Sequence, residues 1–286
     1  NDVEKLNKEI QILNKKYYLE DLKSINENYK KTFLVINKFI TKLDYLKSNA
    51  KIAVEYNYVK PTIVDKENSF IDAKQLRHPI VEQIIDHEYI THDINIRNDM
   101  SGILLYGLNC SGKSVLMKSI GIAVIMAQAG MFVAATNFTY SPYNRLYARI
   151  TGNDNIIKGE SSFAVEMLEL NSILKRANNR TLVIGDEICR STENTSANAI
   201  VASSIIMLAK TNSTFIFATH LHELTNLQQI KELKNVKAMH LSVRYDNITN
   251  LLIYDRILKD GTGESIYGLV VAQFIIQDKE FIKIAT

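Results

Sequence analysis

The chain has 286 residues, 46% hydrophobic and 23% charged, enough apolar content for a sizeable core in one large domain or a domain with an extension. A net charge of +3 and a pI near 8.6 are compatible with a nucleic-acid partner but too weak to argue for one. No apolar run approaches the roughly 18 residues of a membrane span and no signal peptide is visible. The two cysteines, Cys110 and Cys189, lie at neither disulfide nor metal spacing, which points to an intracellular, reducing compartment.

Residues 1 to about 57 contain no Gly and no Pro. Leu6, Ile10, Leu13 and Tyr17, then Phe33, Ile36, Ile40, Leu43 and Leu46, recur at helical spacing. The polar stretch Ser24-Ile-Asn-Glu-Asn28 predicts a turn between two antiparallel helices. Excess lysine here reads as a solvated face, with direct DNA contact the lesser reading. Pro61 ends the helical part. Short strands are expected at 62–65 and 69–72 and a short helix at 80–85 opened by Arg77-His78-Pro79, after which Tyr89-Ile90 and Ile94-Asn-Ile96 lead into the next strand. Pattern and composition alone assign no function to the stretch from Pro61 to Met100. Asn1 is not methionine, so a longer parent protein is expected.

Gly102-Ile-Leu-Leu-Tyr106 is an apolar run that predicts a buried strand, and Val115 to Met131 carries apolar residues at helical spacing. Between them, Gly107, Leu108, Asn109, Cys110, Ser111, Gly112, Lys113 and Ser114 satisfy G-x-x-x-x-G-K-[ST], the phosphate-loop pattern, in the strand–loop–helix context it requires. Small residues let backbone N–H groups wrap a phosphate at a helix N-terminus, where Val115 follows. Lys113 would reach the β- and γ-phosphates of ATP, and the Ser114 hydroxyl would ligate Mg²⁺.

Strands are expected at 132–135 and 144–150, a polar loop at 151–160, and a helix at 163–177 that Ser161 and Ser162 could cap. Thr181-Leu-Val-Ile-Gly-Asp186-Glu187 is an apolar strand ending in two carboxylates. Beside a phosphate loop, Asp186 would hold Mg²⁺ with Ser114, and Glu187 would polarise the attacking water. Alternation along the strand sends the two side chains different ways. Ser213 to Thr219 is a third buried strand, and His220 at its end either senses the γ-phosphate or is structural. Residues 236–244 and 251–257 read as a hairpin around Asp246-Asn247, 258–263 as a glycine-rich turn, and 265–276 and 278–285 as two short helices.

Taken together, these motifs resemble the ATPase portion of the MutS family of DNA mismatch-repair proteins. The loop resembles G-P-N-M-G-G-K-S, with Leu108, Cys110 and Ser111 as departures. Ser161-Ser-Phe-Ala-Val-Glu-Met167 is similar to S-T-F-M-x-E-M. Asp186-Glu-Ile-Cys-Arg-Ser-Thr192 is similar to D-E-I-G-R-G-T, with Cys189 and Ser191 for glycines, and Ala218-Thr-His-Leu-His-Glu-Leu224 to A-T-H-x-x-E-L. Arg77-His78-Pro79 and Tyr267-Gly268-Leu269 match shorter signatures. Large DNA viruses and soft-coral mitochondria carry similar departures.

The resemblance implies an α/β fold of the phosphate-loop, ABC-type ATPase class. It would comprise a helical lever over 1–60, the ATPase domain over 61–258 and a C-terminal dimerising helix pair over 259–286. It implies that Asn109 places the γ-phosphate and attacking water, that Tyr89 beside Ile90 stacks on adenine, and that Ser161 with Ser162 reaches the nucleotide of a partner subunit. A homo- or heterodimer, using ATP and Mg²⁺, would switch a clamp on mismatched double-stranded DNA between scanning and sliding through domains that precede Asn1. An ABC-like ATPase of recombination or chromosome maintenance, and a nucleotide-holding module without hydrolysis, are the alternatives. The intact Lys113, Ser114, Asp186 and Glu187 speak against the second.

Overall fold

A computed structural model describes residues 2–97, 99–150, 162–189, 192–246, 251–263, 276 and 284. Its contacts divide the chain into two units, 1–55 and 56–286. The first is one helix, α1 (Asp2–Glu55), of 54 residues. The expected turn at Ser24–Asn28 is therefore a correction. With no Gly or Pro there, each residue costs the helix only a few tenths of a kcal/mol. Asn28 Nδ2 also donates to Ser24 Oγ one turn earlier (3.3 Å), so the polar stretch is satisfied as helix. Asn57 adopts a left-handed φ of 53° just past the helix end, which residues of this type tolerate.

The second unit is mixed α/β. Its strands and helices run β1 (Thr62–Ile63), β2 (Ile71–Leu76), α2 (Val81–Ile84), β3 (His92–Ile96), β4 (Gly102–Tyr106), α3 (Lys113–Gln128), β5 (Asn137–Tyr140), β6 (Arg145–Ile150), α4 (Ser162–Arg176), β7 (Thr181–Asp186), α5 (Asn194–Lys210), β8 (Thr214–Ala218), α6 (Gln228–Lys231), β9 (Val236–Leu241), β10 (Arg244–Asp246), β11 (Leu251–Ile253) and β12 (Leu258–Asp260). A six-stranded sheet has the order β12-β9-β4-β8-β7-β6. Its strands from β9 to β6 are all parallel, with β12 antiparallel at the edge. A four-stranded sheet, β1-β5-β2-β3, lies apart from it in hydrogen bonding.

The parallel strands alternate between two cores. Ile103 and Leu105 of β4, Ile184 of β7 and Ile216 of β8 join Leu116, Met117 and Ile120 of α3 and the inner face of the smaller sheet. Leu104, Val183, Phe215 and Phe217 face Val201, Ile205 and Leu208 of α5 and Ile173 of α4. Covered on both faces, these strands are continuously apolar, as a parallel sheet requires. The Arg77-His78-Pro79 signature is a structural joint. Arg77 donates to the Tyr56 and Asn57 carbonyls and pairs with Glu82 at 3.1 Å. His78 Nδ1 accepts the Ile80 and Val81 N–H groups that open α2.

Several expectations shift. Residues 132–135 form a single bridge, Val133 with Val59, and the strand stands at 137–140. The expected hairpin is confined to β10 and β11, because β9 is recruited into the main sheet beside β4. The supposed turn at 258–263 begins as β12. Periodicity does not announce α5, whose buried positions include Ala197, Asn198, Ala202, Ser204 and Ala209, small or polar residues that a hydrophobic pattern passes over. The loop expected at 151–160 and the helices expected at 265–276 and 278–285 lie outside the described residues, save Ile276 and Ile284.

Candidate functional site

Strands β4, β7 and β8 are parallel neighbours, so their carboxy ends share one edge, where ligands of open α/β sheets sit. From β4 the chain turns through residues 107–112 into α3. Gly107 (φ 149°) and Gly112 (φ 104°) take conformations that side chains rarely adopt, and Gly112 is the N-cap of α3. Cys110 is left-handed as well (φ 65°) and exposed.

Lys113 is 5% exposed. Its Nζ donates to the carbonyls of Gly107 (2.6 Å) and Leu108 (3.1 Å), folding the side chain back across the loop. Burial lowers its pKa, opposed by the nearby Glu187, Asp186 and Cys110. Ser114 Oγ donates to Asp186 Oδ2 at 2.6 Å, which joins α3 to the end of β7.

Asp186 and Glu187 separate, but not by strand alternation, because β7 ends at Asp186. Asp186 turns to α3, while Glu187 leaves the strand with φ 50° and sets its Oε1 2.6 Å from His220 Nε2. An ionised carboxylate only accepts, so in this pair the ring nitrogen is the donor. The Lys113 ammonium, 3.4 Å from the same nitrogen, is then a neighbouring positive charge, not a second donor. His220 itself is held by its turn: Thr219 Oγ1 accepts the Leu221 N–H, and Tyr106 Oη donates to the Leu221 carbonyl. Asn198 of α5 donates to Glu223 in the same turn.

Two cavities flank the loop. The first, about 200 Å³, is lined by Tyr89, Ile90, Cys110, Ser111, Gly112 and Val115, so Tyr89, expected to stack on adenine, and Ile90 share a cavity with the expected phosphate loop. Burial raises the Tyr89 phenol above its ordinary pKa and keeps it neutral. The second, about 180 Å³, gathers Asn109, Glu187, Thr219 and His220. Ser162 begins α4, but Ser161 and the Ser162 side chain lie outside what the structure describes.

Sequence reasoning missed three neighbours of the site. Arg256 and His87 both line the first cavity, with Arg256 Nη1 3.3 Å from His87 Nε2. They stand 169 positions apart, and Arg256 comes from the segment between β11 and β12, of which β12 pairs with β9 at the edge of the main sheet. Glu166 is buried and accepts the Cys189 N–H behind Glu187. Its motif pointed to helix α4, not to this contact.

Residues 103–286 match the family model of MutS domain V. The chain belongs to the MutS family. Among its MutS relatives, a mutS homolog of Acanthamoeba polyphaga mimivirus is 41% identical over 94% of this chain and 27% of its own length. A mitochondrial DNA mismatch repair protein mutS homolog of Sarcophyton glaucum is 40% identical over 98% of this chain and 28% of its own. The DNA mismatch repair protein MutS of Staphylococcus epidermidis is 37% identical over 82% and 27%. The chain thus spans little more than a quarter of the length of these MutS relatives. Where the MutS pattern has glycine, Cys189 here keeps a glycine-like φ of 65°. Ser111, at another such position, has a buried hydroxyl with no hydrogen-bond partner among the described residues.

Proposed function

We propose that this chain is the ATP-hydrolysing portion of a MutS-type DNA mismatch-repair protein, with an ABC-type phosphate-loop fold. The observation that carries the reading is the convergence of Lys113, Ser114, Asp186, Glu187 and His220 at one edge of the parallel sheet. The loop from Gly107 to Val115 would wrap the phosphates, and Tyr89 with Ile90 would receive the base. The hydroxyl of Ser114 and the carboxylate of Asp186 are adjacent hard oxygen donors, suited to Mg²⁺ shared with phosphate oxygens. Among the described residues no group of three or more His, Cys, Asp or Glu could hold a metal by itself. When bound, the ion would neutralise charge on the transferring phosphoryl group.

Glu187 would accept a proton from the attacking water, with His220 fixing its carboxylate and Asn109 placing the water and γ-phosphate. Lys113 would exchange the Gly107 and Leu108 carbonyls for phosphate oxygens. Ser161 and Ser162 would serve the site of a second subunit, and residues 259–286 would help form the dimer. ATP turnover would switch a clamp on mismatched DNA, which domains outside this chain would read. No described helix is long and apolar enough to cross a membrane, and both cysteines are free, as a reducing compartment allows.

The test is ATP turnover and nucleotide binding by the purified chain. Lys113→Ala is expected to lose nucleotide binding. Glu187→Gln should bind ATP and cleave it slower by a factor on the order of 10² or more. Turnover in the unsubstituted chain no higher than in Lys113→Ala would overturn the reading.

A further inference from the structure

Glu187 begins a turn whose backbone is unusual twice over, with φ of 50° at Glu187 and 65° at Cys189. Residues with a Cβ visit this region rarely, and they stay there only when their surroundings hold them. Two hydrogen bonds do the holding. The Glu187 N–H donates to the Ala218 carbonyl at 3.0 Å, tying the first residue of the turn to β8. The Cys189 N–H donates to Glu166 Oε1 at 2.9 Å, tying the last residue to α4.

The second bond is the unusual one. It joins a carboxylate 6% exposed to the backbone of a residue 1% exposed, so water cannot replace it cheaply. A bond from an N–H to an ionised oxygen is also stronger than one to a neutral acceptor. Burial, with the Glu166 charge, pushes the Cys189 thiol up to about 11, so the sulfur stays neutral beside that carboxylate. Between the two bonds, Ile188 packs onto β7 so closely that a Cβ on Gly185 would stand 2.5 Å from its Cδ1.

We propose that Glu166 is a positioning residue for Glu187: its buried carboxylate holds the Glu187–Cys189 turn in its left-handed form by accepting the Cys189 N–H. The proposal rests on the reading of Glu187 as the group that activates water. A glycine at 189 would adopt this φ without strain, so the cysteine makes the chain more dependent on Glu166. Because Glu166 lies one turn beyond Ser162 on α4, the start of that helix and the Glu187 turn share a direct link.

The experiment compares the unsubstituted chain with Glu166→Ala, Glu166→Gln and Glu166→Ala/Cys189→Gly. It measures ATP turnover at saturation, the half-saturating ATP concentration and the number of thiols that react with a chromogenic disulfide reagent. Glu166→Ala is expected to lower saturated turnover about tenfold, the weight of one buried hydrogen bond, and to change half-saturation less than about twofold. In Glu166→Gln an amide oxygen still accepts the N–H, so turnover should stay within about threefold of the unsubstituted chain. Adding Cys189→Gly should restore most of what Glu166→Ala loses.

The native fold offers one reactive thiol, Cys110, because Cys189 is buried. Glu166→Ala should offer two. Unchanged turnover with one reactive thiol in Glu166→Ala, equal losses in Glu166→Gln and Glu166→Ala, or no rescue by glycine would each overturn the proposal. Should Glu166→Ala not fold, recovery of folding in the double variant supports it and no recovery refutes it. If the unsubstituted chain does not cleave ATP, the reading of Glu187 fails and the thiol count alone decides whether Glu166 holds the turn.

Discussion

At Gly102, the first residue of β4, a Cβ would stand 2.1 Å from the ring of Phe215 on the neighbouring strand β8. Both strands are buried, so neither ring nor backbone has room to retreat. Gly102→Ala is expected to destabilise the second unit by ~1–3 kcal/mol, seen as a lower denaturant midpoint with an unchanged slope. An unchanged midpoint would mean that the sheet yields there. The residues proposed to carry the chemistry were legible one by one: Lys113, Ser114, Asp186 and Glu187 stand where a short pattern puts them. The neighbours Glu166, His87 and Arg256 were not, because each reaches the site from an element far away in sequence and no local spacing records the approach.

Helix α1 shows how an element can outrun its sequence signals. At about 1.5 Å per residue its 54 residues extend roughly 80 Å. Polar residues in its middle suggested a turn, yet polarity alone does not stop a helix. A missing N–H or a left-handed residue does. Asn26→Pro should remove a backbone bond and clash with the preceding turn, a cost of ~3 kcal/mol, with a measurable loss of helical circular dichroism. A true turn at this place would accept the proline with no loss. Strand β9 makes the converse point. Its residues alternate like half of a hairpin, but partnership in the main sheet depends on which strand is already at that edge, and β4 provides it.

For the molecule as a whole, pH couples to folding through buried histidine. Burial pushes His92 on β3 down to about 4, and it lowers His78 as well. The folded form of His92 therefore refuses a proton that the unfolded chain accepts below its ordinary value of 6.5. Above pH 6.5 both forms are neutral and nothing is lost. As pH falls from 6.5 to about 4 the unfolded chain binds more protons, and stability drops by as much as ~3 kcal/mol from this residue. Denaturant unfolding at pH 7 and pH 5 should show the decline, and His92→Gln should flatten it. Equal slopes in the two proteins would refute the assignment.

The sequence by itself determined the G-x-x-x-x-G-K-[ST] loop with its strand and helix, the carboxylate pair at the end of β7 and the histidine after β8. Each rests on local requirements: glycines where φ is positive, an apolar run long enough to cross a buried sheet, and carboxylates at its end. Family membership was also readable there, because the motifs occur in one order along the chain. Tertiary structure alone decided which cavity each residue faces, that His220 lies between Glu187 and Lys113, and that a buried carboxylate from α4 clamps the turn behind them. These are contacts between elements far apart in the chain. They follow from how strands order in the sheet and how helices cover it, which depend on the packing of both cores together.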